Sequence, residues 1–448
     1  MAFSLQMMSS SSSSSSVLGR REKGSVRFPN YKIPDSRSYP RSTWSFRLNP
    51  DSVRPMILSS SRPCSSSSSS SSYSPPKSSS FSSSPWLMLP HLFEAGPTTT
   101  MKYKFYSLAE NKVVTVATEF PAAGSDLMVL RGSSHGWLAL LNPRNFDLFL
   151  YNPISHRRIN LPSVGNLPNY PTPQSSRDLE KLILSCSPDE EEEGCRAAII
   201  NDMHVLAFCC PGRSDKWTLL GDLRFCYYGL APWNWEWEGK YMDCVYSSQH
   251  QALFALTGCD EVECWDLRDP LSPSVIKTYE KKPQKMTQKL RPPGAEMFRQ
   301  YLVIAGQDLL VVSQYLMEIG GSFTLSDGKH NPDYSYVTVD FDVHRYDPED
   351  VDHPKYVEGS SLGGWAIFVG FSSHAIALPV TDFPELEPNS IYFTDPTLVT
   401  QVENCVCGGH DIGIFNYEDK TVSRCYYPSD VRKIFPAPMW FFPDSKLI

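Results

Sequence analysis

The sequence predicts an all-β protein: repeated antiparallel sheets of β-propeller type, behind a disordered N-terminal segment. One observation is a recurring hairpin pattern. WLALLNPRNFDLFLYNP at 137–153 returns in approximate form as ALFALTGCDEVECWDL at 252–267 and DIGIFNYEDKTVSRCYYP at 411–428. In each, a short apolar strand leads through a polar turn into a second strand, and such a pair needs neighbouring sheets to bury its faces. A second observation is composition: aromatic residues make up 12% of the chain and prolines number 37, which favours short strands with rigid turns. A third is the lack of amphipathic helical stretches between the strands, which a doubly wound fold would require.

Residues 1–84 differ from everything after them. Serine runs fill 9–16 and 65–72, and basic residues such as Arg20, Arg21, Lys23, Arg27, Arg37 and Arg41 are spaced between them. So little apolar surface cannot offset the entropy of ordering a chain, so disorder is expected. The composition reads as a transit peptide for a mitochondrion or chloroplast. The competing reading is an unstructured tail or a mis-joined coding region.

The ordered part begins at Pro85-Trp86-Leu87-Met88 and is expected to run as one propeller domain over 85–443. Strands are predicted at Phe105–Leu108 and Val113–Ala117. The hairpin Trp137–Leu141 with Leu148–Tyr151 follows, with a third strand at Arg158–Leu161 stopped by Pro162. The next unit comprises Lys181–Cys186, Ala197–Ile200, His204–Cys209 and Trp217–Leu220. Strands at Lys240–Tyr246, Gln251–Thr257 and Val262–Leu267 make another. Tyr301–Ala305, Leu309–Gln314 and Val337–Val343 continue the series, with a separate pairing strand at His344–Tyr346. Trp365–Val369, Ala375–Leu378, Ile391–Phe393, Ile412–Phe415 and Val422–Tyr426 complete the body. The terminal Pro438-Met439-Trp440-Phe441 is expected to complete the first sheet and remove its open edge. The stretches 187–196, 277–298 and 320–335 read as long surface loops, where propellers carry specificity. The number of blades stays open at this point.

Charge narrows the function classes. The chain carries a net −8, but residues 1–85 hold eleven Lys/Arg against three Asp/Glu, so residues 86–448 are left at −16. So acidic a body is a poor binder of nucleic acid phosphates. No apolar run approaches the roughly 18 residues needed to cross a bilayer as a helix, so no membrane partner is expected. Most of the twelve cysteines lie inside apolar strand-like runs and read as reduced, buried thiols. Cys405-Val-Cys407 with His410 supplies three possible metal ligands, but a structural zinc site wants four. Alternating strand cysteines are the simpler account.

Several residues stand out as structural or interaction motifs. His135 follows Ser133 and Ser134, but adjacent strand residues face opposite sides, and the strained turn of a nucleophile elbow is missing. A structural role in a bend relieved by Gly132 and Gly136 is expected, with Trp137 leading the next strand. Trp233, Trp235 and Trp237 share one side of a strand and read either as a recognition face or as packing between sheets. His410 and Asp411 follow Gly408 and Gly409, where side-chain-to-backbone bonds would stabilise a turn. Gly320-Gly321 and Gly363-Gly364 lack the lysine and helix of a phosphate loop. No cofactor and no catalytic activity are expected.

Four stretches together carry a resemblance: Gly132–Leu138, Leu148–Pro153, Asn389–Asp395 and Gly408–Phe415, with the terminal Pro438–Phe441. They resemble the plant DUF295 family, whose domain is also called the KIB1-4 β-propeller, over roughly 85–443. That resemblance implies a propeller often found behind an N-terminal F-box, in substrate-recognition subunits of ubiquitin ligases. Residues 1–84 depart from the pattern, being serine-rich and broken by prolines where an F-box would be helical and leucine-rich. The family also has members in which an organellar presequence replaces the F-box. The expectation is a non-catalytic propeller that binds a protein partner inside an organelle. The alternative is a ligase substrate receptor in cytoplasm or nucleus, bound to the ligase adaptor. A hydrolase-type propeller is the remaining reading.

Overall fold

The structure, a computed structural model, describes residues 84–94, 100–119, 128–167, 179–190, 194–202, 204–221, 241–258, 261–279, 295–321, 331, 333–346, 354–358, 362–370, 373–396, 407–423, 425 and 433–443. Among them the chain forms six sheets, the blades of a propeller. Blade one starts with β1 (Trp86–Glu94), β2 (Thr100–Ser107) and β3 (Lys112–Glu119). Blade two is β4 (Val129–Ser134), β5 (Trp137–Leu141), β6 (Leu148–Tyr151) and β7 (Arg158–Leu161). Blade three is β8 (Leu179–Leu184), β9 (Ala197–Asn201), β10 (Leu206–Cys209) and β11 (Thr218–Leu219). Blade four is β12 (Tyr241–Ser247), β13 (Ala252–Thr257), β14 (Val262–Asp266) and β15 (Ser274–Tyr279). Blade five is β16 (Ala295–Ala305), β17 (Asp308–Ile319), β18 (Ser335–Tyr346) and β19 (Lys355–Tyr356). Blade six is β20 (Trp365–Val369), β21 (Ile376–Pro379), β22 (Ser390–Phe393), β23 (Gly413–Asn416) and β24 (Thr421–Ser423). Finally β25 (Met439–Phe441) returns to pair with β1, so the first blade is built from both ends of the propeller.

Many strands, β5 and β6 among them, are apolar on both sides because their sheets pack against neighbours on both faces. In β5, Leu138 and Leu140 face blade one, beside Trp86, Phe105 and Phe441. Trp137, Ala139 and Leu141 face blade three, beside Leu182, Ile199 and Trp217. Side chains alternate along a strand, so one continuous apolar run feeds two interfaces. The same rule produces an apolar cluster between each pair of consecutive blades around the ring. Trp217 adds a polar tie, its Nε1 donating to the Pro162 carbonyl of the neighbouring blade at 2.9 Å.

In blade two, β5, β6 and β7 match the predicted bounds residue for residue, whereas β4 had no predicted bounds. Elsewhere the structure revises the expectations. The separate strand at His344–Tyr346 does not exist, because β18 runs unbroken from Ser335 to Tyr346 and pairs with β17 along its length. The stretch 277–298 is not wholly loop: Lys277–Tyr279 end β15, and β16 starts at Ala295. Four of the six β15 residues are solvent-exposed, so the edge strand lacks the apolar signature of its neighbours. Blade six departs from simple meander order. Its strands lie β21-β20-β22-β23-β24, and β22 runs parallel to β20.

Closure rests on Trp86↔Phe441, Leu87↔Trp440 and Met88↔Met439. Phe441 is fully buried, with its ring 4.8 Å from that of Phe105 and 6.1 Å from that of Trp86. Phe441→Ala is expected to lower unfolding stability by about 3–5 kcal/mol through lost burial and the cavity left behind. Urea unfolding followed by tryptophan fluorescence measures it, and an unchanged midpoint would contradict the closure described.

Candidate functional site

The first strands of the blades, β4, β8, β12 and β16, together with β21 of blade six and β25, line the axis. They carry an unusual load of polar groups. Lys181 on β8 and Asp243 on β12 form a buried ion pair. The second carboxylate oxygen of Asp243 accepts from the Leu302 amide on β16 at 2.7 Å, so one aspartate ties three blades together. Glu180, the residue before Lys181, takes Arg299 Nη2 at 3.4 Å and lies 3.6 Å from His204 Nδ1. A charge in such surroundings survives only when paired and hydrogen-bonded.

Ser134 is the second junction. Its hydroxyl oxygen accepts from the Leu184 amide at 3.0 Å, and it bonds His374 Nδ1 at 3.0 Å. Next to it, the His374 amide donates to the Ser133 carbonyl at 3.1 Å, and Ser133 forms a parallel bridge with Ser373. Blades two, three and six therefore meet at one serine. Burial, reinforced by His135 and Lys181, holds the His374 pKa well below the ordinary histidine value, so the ring is neutral. Among the described residues the Ser134 hydroxyl has no acceptor other than Nδ1, so we assign its proton to that bond and the ring proton to Nε2. Ser134 is 1% exposed, and among the described residues no carboxylate bonds His374 to orient it as a base. The pair is a structural bolt rather than half of a catalytic triad.

His135 does not join Ser134 in a shared bond. It sits at φ 49° with Gly136 at φ 77°, the two left-handed positions of a tight hairpin turn between β4 and β5. Its ring lies 5.6 Å from that of His374, edge-on. Trp137, the next residue, is buried and donates from Nε1 to Ser187 Oγ at 3.3 Å.

His410 and Asp411 belong to a third cluster, between blades five and six. Gly409, at φ 68°, passes so close to the Ile434 carbonyl that an added Cβ would stand 2.1 Å from its oxygen. That approach lays the next two residues against β18. His410 Nε2 stands 3.0 Å from the Tyr336 carbonyl and 3.2 Å from Ser335 Oγ. Asp411 accepts from the Thr338 amide at 3.2 Å and from its hydroxyl at 2.5 Å. Gln314 donates to Thr338 Oγ1 and accepts from the Tyr301 hydroxyl, while the Tyr336 hydroxyl reaches both oxygens of Asp395. Burial first, and the Asp395 charge second, push the Asp411 pKa up to about 7. The bonds of these residues run to a neighbouring blade, not only within their own turn.

Trp233, Trp235 and Trp237 lie outside the described residues, as do Cys405 and most of the loops at 277–298 and 320–335. Within 187–196, Asp189 is bound to blade two, accepting from Arg157 at 2.8 Å and from Asn152 at 3.1 Å. Among the described residues, no group of three metal-ligating side chains converges. None of the eight described cysteines forms a disulfide, and burial raises the thiol pKa of Cys244 to about 12. Among those residues no helix is long and apolar enough to cross a membrane.

Sequence reasoning missed Lys181, Asp243 and His374. A lysine inside LEKLIL and an aspartate inside YMDCVYS were available signals, since charges within buried strands need partners. His374 also borders a pocket of about 310 Å³ between blades four, five and six.

A family model described as the KIB1-4 beta-propeller matches residues 105–416. No curated protein matches the chain. Among solved structures, the chain is similar to the Cps50 (Swd1) β-propeller domain of Myceliophteria thermophila, at 8% identity, covering 78% of this chain and 91% of that one, with a TM-score of 0.35. It is also similar to a chain of a nidogen/laminin complex, at 9% identity over 57% of this chain and 78% of that one, with a TM-score of 0.27. Saccharomyces cerevisiae Sqt1 gives 9% identity, 61% and 73% coverage and a TM-score of 0.29.

Two predictions follow from the buried charges. Lys181→Met strands Asp243 and should cost about 3–5 kcal/mol, whereas Lys181→Met with Asp243→Asn, which keeps an acceptor for the Leu302 amide, should recover part of it; denaturant titrations of the three proteins measure this. For Asp411, the folded pKa of about 7 lies above the ordinary carboxyl value, so the folded state holds the proton longer. Its contribution is fully present below about pH 4 and is lost as pH rises through 7. Asp411→Asn should flatten the fall in stability between pH 5 and 8, read from melting temperatures across that range.

Proposed function

The chain belongs to the KIB1-4 β-propeller family, and from that premise we propose that it is a non-catalytic interaction protein, imported into a mitochondrion or plastid, whose propeller face holds a partner protein. One observation carries the binding half of this reading: several of the buried polar side chains between blades are spent on one another. Lys181 is taken by Asp243, Ser134 by His374, and Asp411 by Thr338, each across a blade boundary. A hydrolase-type propeller would need a nucleophile or a carboxylate pair open to substrate. What these residues leave for other molecules is the surface between blade ends, where propellers recognise partners.

The import half rests on the serine-rich, basic composition of residues 1–84. Ligase-receptor function is the second reading, favoured by the family's frequent pairing with an F-box. N-terminal sequencing of the native protein from fractionated cells separates the two. A new terminus within about the last 25 residues of the 1–84 segment, in mitochondria or plastids, is expected. An intact Met1 in cytosol would refute import and make co-purification with the ligase adaptor the next measurement. Cross-linking of the tagged full-length chain in cells is expected to join it to another protein. Turnover of ester or glycoside substrates by the purified chain would overturn the non-catalytic reading.

A further inference from the structure

The pocket beside His374 brings together apolar walls, a hydrogen-bond donor and charge. It is formed by the end of β12, the β16–β17 turn, the start of β20, strand β21 and the loop that follows it. Its walls are apolar, among them Val245, Ile304, Trp365, Ile376, Leu378 and Phe383. Trp365 and Ile304 are only partly buried, and exposed Ser248 and Asp382 carry the lining out to solvent. At about 310 Å³ the cavity sits at the lower end of the range of ligand pockets, about 300–1,000 Å³. That size suits one bulky side chain better than a cofactor.

Two polar features bias what enters. His374, 2% exposed, has Nδ1 engaged by Ser134, and its Nε2–H has no bond to the described protein. A donor in such a place favours an occupant that brings an acceptor. The rim is acidic: Asp382 lines the pocket, and Glu385 and Glu387 stand exposed on the same loop. Asp382 is held by the Thr381 hydroxyl at 3.1 Å, and among the described residues no lysine or arginine pairs with these three carboxylates. Phosphates, nucleotides and anionic lipid surfaces would be repelled there.

We propose that this pocket is the anchor site for a partner protein, occupied by a tyrosine of an extended segment whose neighbouring lysine or arginine residues meet Asp382, Glu385 and Glu387. The tyrosine ring fills the apolar walls, and its oxygen accepts from His374 Nε2–H. Tyrosine joins a rigid apolar body to a polar tip, which is why it anchors many interfaces. Basic flanking residues supply the charge complement that fixes register and speeds encounter. This assignment rests on the interaction reading above and names the partner's chemistry.

The test uses a random peptide library displayed on phage, panned on the full-length chain. Enriched sequences are expected to carry tyrosine with Lys or Arg within two positions. A synthetic enriched peptide should bind the Asp382→Lys protein about tenfold or more weakly than the wild type. Replacing the peptide's tyrosine by phenylalanine should weaken binding about threefold to tenfold without touching the protein. Enriched peptides that are acidic, that lack an aromatic residue or that bind Asp382→Lys as tightly as the wild type would overturn the assignment. So would failure of any sequence to enrich, or a dimer of the full-length chain, seen by light scattering, that Asp382→Lys dissolves, since the pocket would then hold a second copy. Cross-linked partners that persist with Asp382→Lys would refute this pocket while leaving the interaction reading intact. Absence of any cross-linked protein would refute that reading itself.

Discussion

Three residue pairs hold the ring shut. Trp86, Leu87 and Met88 on β1 meet Phe441, Trp440 and Met439 on β25, and every other blade depends on that short ladder. A sheet in this architecture has no solvent face to spare: each blade packs a neighbour on either side. If the first blade lost its inner strand, the apolar faces of blades two and six would be uncovered with it. Trp440 shows the dependence directly. It is wholly buried against Phe368 and Tyr392 of blade six, and its Nε1 donates to the Val369 carbonyl at 3.2 Å.

Double-sided burial also decides how much of the fold could be read from the sequence. Where a strand is apolar throughout, as in Trp137–Leu141 or Leu148–Tyr151, its bounds are visible and the structure reproduces them. Where a strand lies at the outer edge, exposure removes the signal: β15 carries Ser274, Lys277 and Thr278, and its Lys277–Tyr279 end reads as loop. Where two apolar segments abut, the sequence shows a seam that the backbone lacks, as at Val343-His344 within β18. The order of strands in blade six was not legible at all. Nothing local in Ser390–Phe393 states that it lies parallel to β20, because the choice is made by the connection and the neighbouring blade.

The axial residues were harder still, for a different reason. His135 was conspicuous because it sits in a motif, and it turns out to serve the hairpin through its left-handed backbone. His374 was inconspicuous, yet it meets Ser134 from 240 residues away. Pairs of that kind are created only when the ring closes, so periodicity and spacing carry no trace of them. Lys181 and Asp243 are intermediate: each is odd in its own strand, and only the fold reveals that each is the other's explanation.

The first blade's two-ended construction bears on how the chain is made. Trp86 and its partner Phe441 are 355 positions apart, 441 less 86. A ribosome adding about 5–20 residues per second needs roughly 20–70 s to cover that interval. Throughout it, the inner edge of β1 offers unpaired amide and carbonyl groups beside an aromatic face, the kind of edge that recruits other strands. Whether the chain folds on the ribosome or after import, that edge stays open until the last strand arrives, and the order in which segments become available sets how long it is exposed.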